Sequence, residues 1–404
     1  MDGVADRPCE VLNNKTPLEY AKTKNLDYLT SNGKTGYVQT IKDKVAPESD
    51  TAVLAMLGYD PYKYYTGRGP LEAIGAGMDI RNGDLCLRTN FSTLIDKKLV
   101  DRRAGRTLTT KEATELTSSV NKHVNIGQHF IFKNTIQHRG VLVIRGQFSD
   151  NITNVDPAYI IKNRIGEAVR NARPLLKESK PLDVSQKTKF SAKLVNEFVR
   201  QSYNILKNHP INQKRTKNRL LPANVIITRD AGVKMPELPK KDNWAAVTGM
   251  PLEMGIARLA GMDILQVNYP ELKSNDIYKH LYSCLDEEIK ASIEHIKEAK
   301  YKNYYIHFKE TDIPGHDNQP KDKAKMIEII DNEFFKFIRE INPTLVVTAD
   351  HSTPCQLKVH SADPVPLLVY NQGTDDTQRF TEEESKNGEL GKLFGRNVLS
   401  TLNL

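Results

Sequence analysis

Hydrophobic and polar positions follow two rhythms along the chain. Short apolar runs at Val225–Thr228, Ala245–Val247, Ile264–Val267, Tyr304–Phe308, Leu345–Thr348 and Val365–Val369 have the length and make-up of buried strands. Between them the spacing widens. Met326, Ile327, Ile330, Phe334, Phe337 and Ile338 recur close to every 3.6 residues within 321–340. Ile277, Leu281, Leu285, Ile289 and Ile293 recur at fourfold spacing within 277–298. Both stretches predict amphipathic helices. Strand and helix alternating over 224–370 predict a mostly parallel sheet covered on both faces. The middle of the chain reads differently. Residues 81–160 hold extended runs at Leu85–Phe91 and Val141–Ile144 amid polar and basic stretches. A long amphipathic helix is predicted over 188–207, followed by a basic segment from Asn212 to Arg219. The pattern predicts an α/β fold in two parts. Residues 1–80 and 220–404 form one domain, and 81–219 form a smaller α+β domain inserted into it.

Composition narrows the classes. With 404 residues, 39% hydrophobic and 27% charged, the chain can bury a sizeable core and exceeds what one compact domain usually organises. No apolar run is long enough to cross a bilayer, and the opening MDGVADRPC is not a signal peptide. Cys9, Cys86, Cys284 and Cys355 form no CxxC pair, which argues against a thiolate zinc site and for a reducing cytoplasm. Basic residues outnumber acidic ones by 58 to 50. No lysine/arginine block sits in a nucleic-acid-binding motif, so the excess suits an anionic small molecule better than a nucleic acid. Neither nucleic acid nor membrane is an expected partner.

The strongest chemical signal is a set of aspartates and histidines placed just after predicted strands. Asp312 and His316 follow YYIHF, Asp350 and His351 follow TLVVTA, and His360 precedes the strand at 365–370. In open α/β sheets ligands gather beyond the carboxyl ends of the strands, which draws these side chains to one rim. Imidazole and carboxylate together suit mid-row divalent ions. Spacing alone assigns neither Asp2 nor Ser49 to such a site. Ser49, in PESDTAVLAM, reads either as the cap of a helix beginning at Asp50 or as a nucleophile whose pKa a nearby metal lowers. Arg68 lies in KYYTGRGPLEAIGAG, which is neither a dinucleotide fingerprint nor a Walker motif. Arg102, Arg103 and Arg106 in DRRAGR, with His129, Arg139 and Arg145 downstream, suit a small substrate carrying both carboxylate and phosphate. Taken singly, each arginine reads as part of a solvated basic face.

The strings KTPLEYAKTKNLDYL, PESDTAVLAMLGYDPYKYYTGRGPLEAIGAG, DRRAGR, LPANVIITRDAG, GIARLAGMDI, TDIPGHD and TADHSTPC occur in order along most of the chain. In them the sequence resembles the archaeal-type, cofactor-independent phosphoglycerate mutases of the alkaline phosphatase-like superfamily. The resemblance implies a two-metal site in an alkaline phosphatase-like three-layer domain with an inserted transferase domain. Carried over by position, Asp2, Ser49, Asp350 and His351 hold one ion, and Asp312, His316 and His360 the other. The ions are Mn, Zn, Co or Mg. Ser49 is the nucleophile that carries a phosphoserine, and Arg68, Arg102, Arg103, Arg106, His129 and Arg145 grip the substrate. The implied reaction interconverts 3-phosphoglycerate and 2-phosphoglycerate, without bisphosphoglycerate, in a monomer or homo-oligomer.

The sequence departs from the family pattern in three places. Family members usually begin with an apolar strand ending in LDG, whereas MDG opens this chain, so the first strand is expected to be missing. Val53 stands where the family's SDTAH motif has histidine, and Asp230 stands where glycine is common. The alternatives are a metal-dependent phosphohydrolase, a phosphonate or phosphopentose enzyme of the same superfamily, or an inactive anion-binding homologue.

Overall fold

The computed structural model describes residues 1–162, 165–169, 172–272 and 276–401. Along the chain, β1 (Gly33–Gln39) leads through a loop into α1 (Ser49–Met56) and α2 (Arg68–Gly75). Then come β2 (Leu85–Ile95), β3 (Lys98–Asp101), α3 (Thr110–His123), β4 (Phe130–Asn134), β5 (Arg139–Ile144) and the hairpin β6 (Tyr159–Lys162) and β7 (Ile165–Ala168). The long α4 (Gln186–Leu206) precedes β8 (Val225–Gly232), β9 (Trp244–Thr248), α5 (Pro251–Leu259) and β10 (Asp263–Gln266). The last third holds α6 (Ile277–Lys297), β11 (Asn303–Ile306), α7 (Asp312–Asp317), α8 (Pro320–Ile330), α9 (Lys336–Ile341), β12 (Leu345–Val347), β13 (Val365–Tyr370) and β14 (Gly391–Phe394).

The strands sort into three main sheets. In the first, β9 lies between β10 and β11, all parallel. In the second, ordered β12-β13-β1-β14, only the β1–β14 pair is parallel. The third is wholly antiparallel, with β3, β2, β5 and β4 in order and β8 on β2. The α/β class therefore holds, but the mostly parallel sheet expected over 224–370 does not. Two physical reasons account for this. A parallel pair needs a covering crossover, usually a helix, and residues 348–364 between β12 and β13 form a loop instead, so β13 returns antiparallel. The run at Val225–Thr228 pairs with β2, joining the antiparallel sheet rather than the strands that follow it.

Each periodic helix buries its predicted stripe. On α6, Leu281, Leu285 and Ile289 pack with Met326, Ile327, Ile330, Phe334 and Ile338 against Val347, Leu367 and Leu368. On α4, Val195, Phe198 and Leu206 pack against Leu87, Phe91 and Ile226 of the antiparallel sheet, joined by Leu116 and Val120 of α3. The helix expected over 321–340 is broken by one wide π turn at Asp331–Phe335. There the buried Asp331 carboxylate accepts the backbone N–H groups of Asn25 and Leu26 at 2.7–3.2 Å. These are first-turn donors of a helix whose own N-cap, Thr23, gives no side-chain bond. The basic segment after α4 is also helical, and within it Arg215 is buried, bonded to Leu221 O, Thr107 O and Glu112. No helix among the described residues is long and apolar enough to cross a membrane.

Candidate active site

The start of the chain is wedged between two strand ends. The Met1 ammonium donates to Thr348 O at 3.0 Å, and the Asp2 N–H donates to Phe308 O at 2.8 Å. Gly3 then turns the backbone at φ +56° and donates to Asp350 Oδ1 at 3.1 Å. A Cβ at Gly3 would lie 2.5 Å from Thr353 Oγ1, so both the turn and the close approach need glycine. This path places the Asp2 carboxylate, fully buried, beside the loops that follow β11 and β12.

The carboxylates and imidazoles expected to hold metal meet there. His351 Nε2 lies 3.2 Å from each of Ser49 Oγ, Asp2 Oδ1 and Asp350 Oδ2. Asp312 stands 3.3 Å from His316 Nε2 through Oδ2 and 3.7 Å from His360 Nε2 through Oδ1. The His316 Nδ1 is 2.9 Å from Lys358 O, and the His360 Nδ1 is 2.8 Å from Pro47 O. Each ring is thus oriented by a backbone carbonyl, with its Nε2 turned toward Asp312. The His351 and His360 rings stack with centroids 3.6 Å apart, so the two sets form one cluster. Among the described residues Asp312, His351 and His360 lie close enough to share one ion, and so do Asp2, His307 and Asp350. His307 is an addition, and His351 lies on the border between the sets.

Ser49 does not cap its helix. Glu48 occupies the N-cap position without a side-chain cap bond, and Ser49 is the first helical residue. Its hydroxyl is directed at His351 and lines a cavity with Arg68, Arg102, Arg103 and Arg106. Among the described residues eight basic side chains line this cavity against four carboxylates, the balance expected of an anion site.

The arginines divide by whether a carboxylate already holds them. Glu72 takes both Arg68 and Arg88, at 2.8 and 3.2 Å. Asp156 takes Arg102 at 2.6 Å, Asp230 takes Arg229 at 2.7 Å, and Asp317 takes Arg106. Arg103 and Arg139 line the cavity with no ion pair among the described residues. Burial, reinforced by the neighbouring Arg106 and Arg102, pushes the Arg103 guanidinium down to about 10. Burial also lowers Arg139. Both shifts reflect guanidinium charge taken out of water. Two predicted contacts are not brought to this cavity. His129 and Arg145 line a separate hollow with Arg81 and Asp84, and Arg145 is committed to Asp84 at 2.6 Å.

Comparison with known proteins identifies relatives over the whole chain. A sequence profile described as 2,3-bisphosphoglycerate-independent phosphoglycerate mutase matches residues 30–212. A protein of that name from Aeropyrum pernix is 38% identical over 426 aligned positions, covering all of this chain and 98% of the relative. One from Pyrococcus abyssi is 39% identical, covering 99% of this chain and 94% of the relative. The chain belongs to this family. Among solved structures, a Pyrococcus horikoshii protein superposes with a TM-score of 0.74 at 31% identity, covering 99% of this chain and 94% of that one. The cofactor-independent phosphoglycerate mutase of Thermoplasma acidophilum gives 0.57 at 31% identity, covering all of this chain and 97% of that one.

Within the phosphoglycerate mutase family, the two internal departures from pattern have local explanations. Val53 is buried with Leu57, Leu252 and Ile256, so that position faces the core rather than Ser49. Asp230 sits at φ +53°, a conformation that favours glycine and that aspartate tolerates better than most residues. Burial pushes its carboxyl up to about 6 against the pull of Arg229.

Several site residues escaped the sequence reading. Lys309 hydrogen-bonds the Asp2 carboxylate and lies 3.8 Å from Asp312 Oδ2, so one ammonium stands between the two ligand sets. His307, Lys309 and Asp312 all follow β11 within six residues, and the post-strand rule that located Asp312 applies equally to the other two. Arg88 and Arg229 interrupt the apolar strands β2 and β8 and face each other directly across the ladder. Like charges so placed repel unless anions lie between them, so an arginine inside a buried strand is itself a signal.

Divalent metal fits the residues present. Asp2 Oδ1, Asp350 Oδ2 and both ring nitrogens of His307 are buried without a hydrogen-bond partner. Buried polar atoms are rarely left so, and one atom from each of Asp2, Asp350 and His307 lies close enough to the others to share a cation.

Proposed function

We propose that this chain interconverts 3-phosphoglycerate and 2-phosphoglycerate through a phosphoserine at Ser49, in a centre for two divalent ions. The observation that carries this reading is the position of Ser49. Its Oγ lies against the carboxylate–imidazole cluster and opens into a cavity where Arg103 and Arg139 make no ion pair among the described residues. Divalent ions bound by Asp2, Ser49, Asp350 and His351 and by Asp312, His316 and His360 would lower the hydroxyl pKa and offset phosphoryl charge.

The chain's own groups do the rest. Arg103 and Arg139 hold the carboxylate and phosphate of the substrate, charge-assisted bonds that fix its orientation. Lys309 adds a positive charge between the ligand sets. Ser49 Oγ forms a bond to phosphorus as the ester oxygen–phosphorus bond breaks. The departing oxygen keeps the electron pair and takes a proton, giving enclosed glycerate. Glycerate turns, its other hydroxyl gives up its proton and attacks the phosphoserine, and as the Oγ–phosphorus bond breaks Oγ keeps the electron pair and takes a proton, restoring the Ser49 hydroxyl. Residues 81–219 serve as the inserted domain that closes over glycerate and excludes water, since water at this step would make the enzyme a phosphatase. On this reading the fold is an alkaline phosphatase-like layout. The four free, buried cysteines suit a reducing compartment, and we place the protein in the cytoplasm.

The test follows 3-phosphoglycerate by phosphorus NMR with purified protein and Mn²⁺, without bisphosphoglycerate. Formation of 2-phosphoglycerate without free phosphate is expected. Release of phosphate alone would make the protein a phosphohydrolase. The variant Arg103→Leu should lower kcat/KM by roughly tenfold to a hundredfold, as expected for losing a hydrogen bond to a charged group. Unchanged kinetics would remove Arg103 from the substrate site.

A further inference from the structure

His307 makes no side-chain hydrogen bond among the described residues. The residue follows the last position of β11, whose pairing with β9 fixes where its side chain goes. Its ring packs flat against Tyr305, with centroids 6.1 Å apart and planes 15° from parallel. Both ring nitrogens are buried and make no hydrogen bond. A histidine buried for packing normally satisfies at least one nitrogen, because leaving a buried polar atom unpaired costs about 1–3 kcal/mol. The surroundings of the two nitrogens differ. Nε2 faces the Asp2 carboxylate at 3.8 Å and groups with Asp2 and Asp350 in the spacing of ligands around a shared ion. Nδ1 faces the buried Glu253 Oε1 of α5 at 3.5 Å. An imidazole set between Glu253 on one side and the Asp2–Asp350 pair on the other, where Lys309 also reaches the Asp2 carboxylate, is the arrangement in which an outer carboxylate orients a metal-bound histidine.

We infer that His307 is a ligand of the divalent ion held by Asp2 and Asp350, bound through Nε2, and that Glu253 is the positioning residue that accepts its Nδ1–H. This rests on the two-ion reading above and adds to it a fourth imidazole in the centre. It also narrows the ion. A further nitrogen donor favours manganese, zinc or cobalt over magnesium, which prefers oxygen and water.

The experiment uses metal-stripped full-length protein titrated with Mn²⁺ by calorimetry and by electron paramagnetic resonance, and with Co²⁺ by visible absorption. Wild-type protein should bind two ions. His307→Ala should lose affinity at one of them by tenfold to a hundredfold, with a changed Co²⁺ spectrum and an unchanged melting temperature in the metal-free state. Glu253→Gln should lose less at the same ion. If the alanine variant does not fold, pulsed resonance on wild-type protein replaces it, with coupling to four histidine nitrogens expected across the two ions. Wild-type protein that binds no ion would overturn the metal centre itself. Two ions bound by His307→Ala with wild-type affinity and spectrum, or only three coupled nitrogens in wild-type protein, would overturn the role of His307 and leave the rest of the centre standing.

Discussion

Replacing Ser49 with alanine should leave a folded protein with no measurable mutase turnover. Folding should survive because the Ser49 side chain makes no cap bond, so losing it does not cost the roughly 1 kcal/mol that a capping hydroxyl contributes. Alanine is also the best helix former at the first helical position. Turnover should fall by at least about a thousandfold, since removal of a covalent nucleophile eliminates the step rather than slowing it. Phosphate release should vanish with it, because hydrolysis through a phosphoserine needs the same oxygen. Coupled assays of both products, beside circular dichroism and thermal melting of the variant, make the comparison. A complementary measurement is mass spectrometry of wild-type protein quenched during turnover, with the phosphoryl group expected on Ser49. A folded Ser49→Ala protein that still isomerises substrate at near wild-type rate would falsify the phosphoserine mechanism.

What could be read from the sequence was set by how local each signal is. Periodicity located α6, α4 and most strands because burial of one stripe or one run depends only on neighbouring residues. Partnership between strands is not local. The run at Val225–Thr228 looks like its neighbours at 245 and 264, yet it pairs with β2 more than a hundred residues earlier in the chain. The same limit applied to the site. Asp312, His316, Asp350, His351 and His360 stood out as carboxylates and imidazoles at strand ends, and the structure brings all five together. His129 and Arg145 looked equivalent to Arg103 as basic residues near a substrate-binding segment. What separates them is that Asp84 takes Arg145 in a different hollow, whereas Arg103 has no ion pair among the described residues. The pairing of each arginine is a tertiary fact, and it decides which charge is free for a substrate.

Adding an apolar strand ahead of Met1 should raise stability, metal affinity and turnover together. The structure has a slot of that shape. Among the described residues β11 pairs only with β9, and β12 only with β13, so each presents an unpaired edge. A cavity of about 300 Å³ lies between them, lined by Tyr304, Ile306, Phe308, Leu345 and Val347, with Phe334, Ile338, Val53 and Leu399 on its walls. Met1 and Asp2 already make the end of a ladder there, one bonded to the loop after β12 and the other to the loop after β11. Residues added before Met1 enter the slot directly, and the two half-sheets become one. The local electrostatics favour it as well. Burial lowers the Met1 ammonium, a charge removed from water that donates to the backbone oxygen of Thr348. An amide N–H in its place keeps the bond to Thr348 O and removes the desolvated charge. Each apolar residue buried contributes roughly 2 kcal/mol against about 1.5 kcal/mol of ordering, and strand pairing on both edges satisfies backbone groups that are otherwise exposed or unpaired. A five-residue strand should therefore stabilise by a few kcal/mol, a rise in melting temperature of roughly 5 °C or more. Asp2 gains most in function, because its backbone would then be fixed from both sides and its carboxylate held at a set distance from its ion. The comparison is between the 404-residue chain, the chain carrying five β-branched apolar residues before Met1, and the chain carrying five alternating Ser and Lys residues. Only the apolar extension should raise melting temperature, Mn²⁺ affinity and kcat. Equal values in all three proteins would mean that the two edges close on each other in solution and that Asp2 is already held as firmly as the reaction requires.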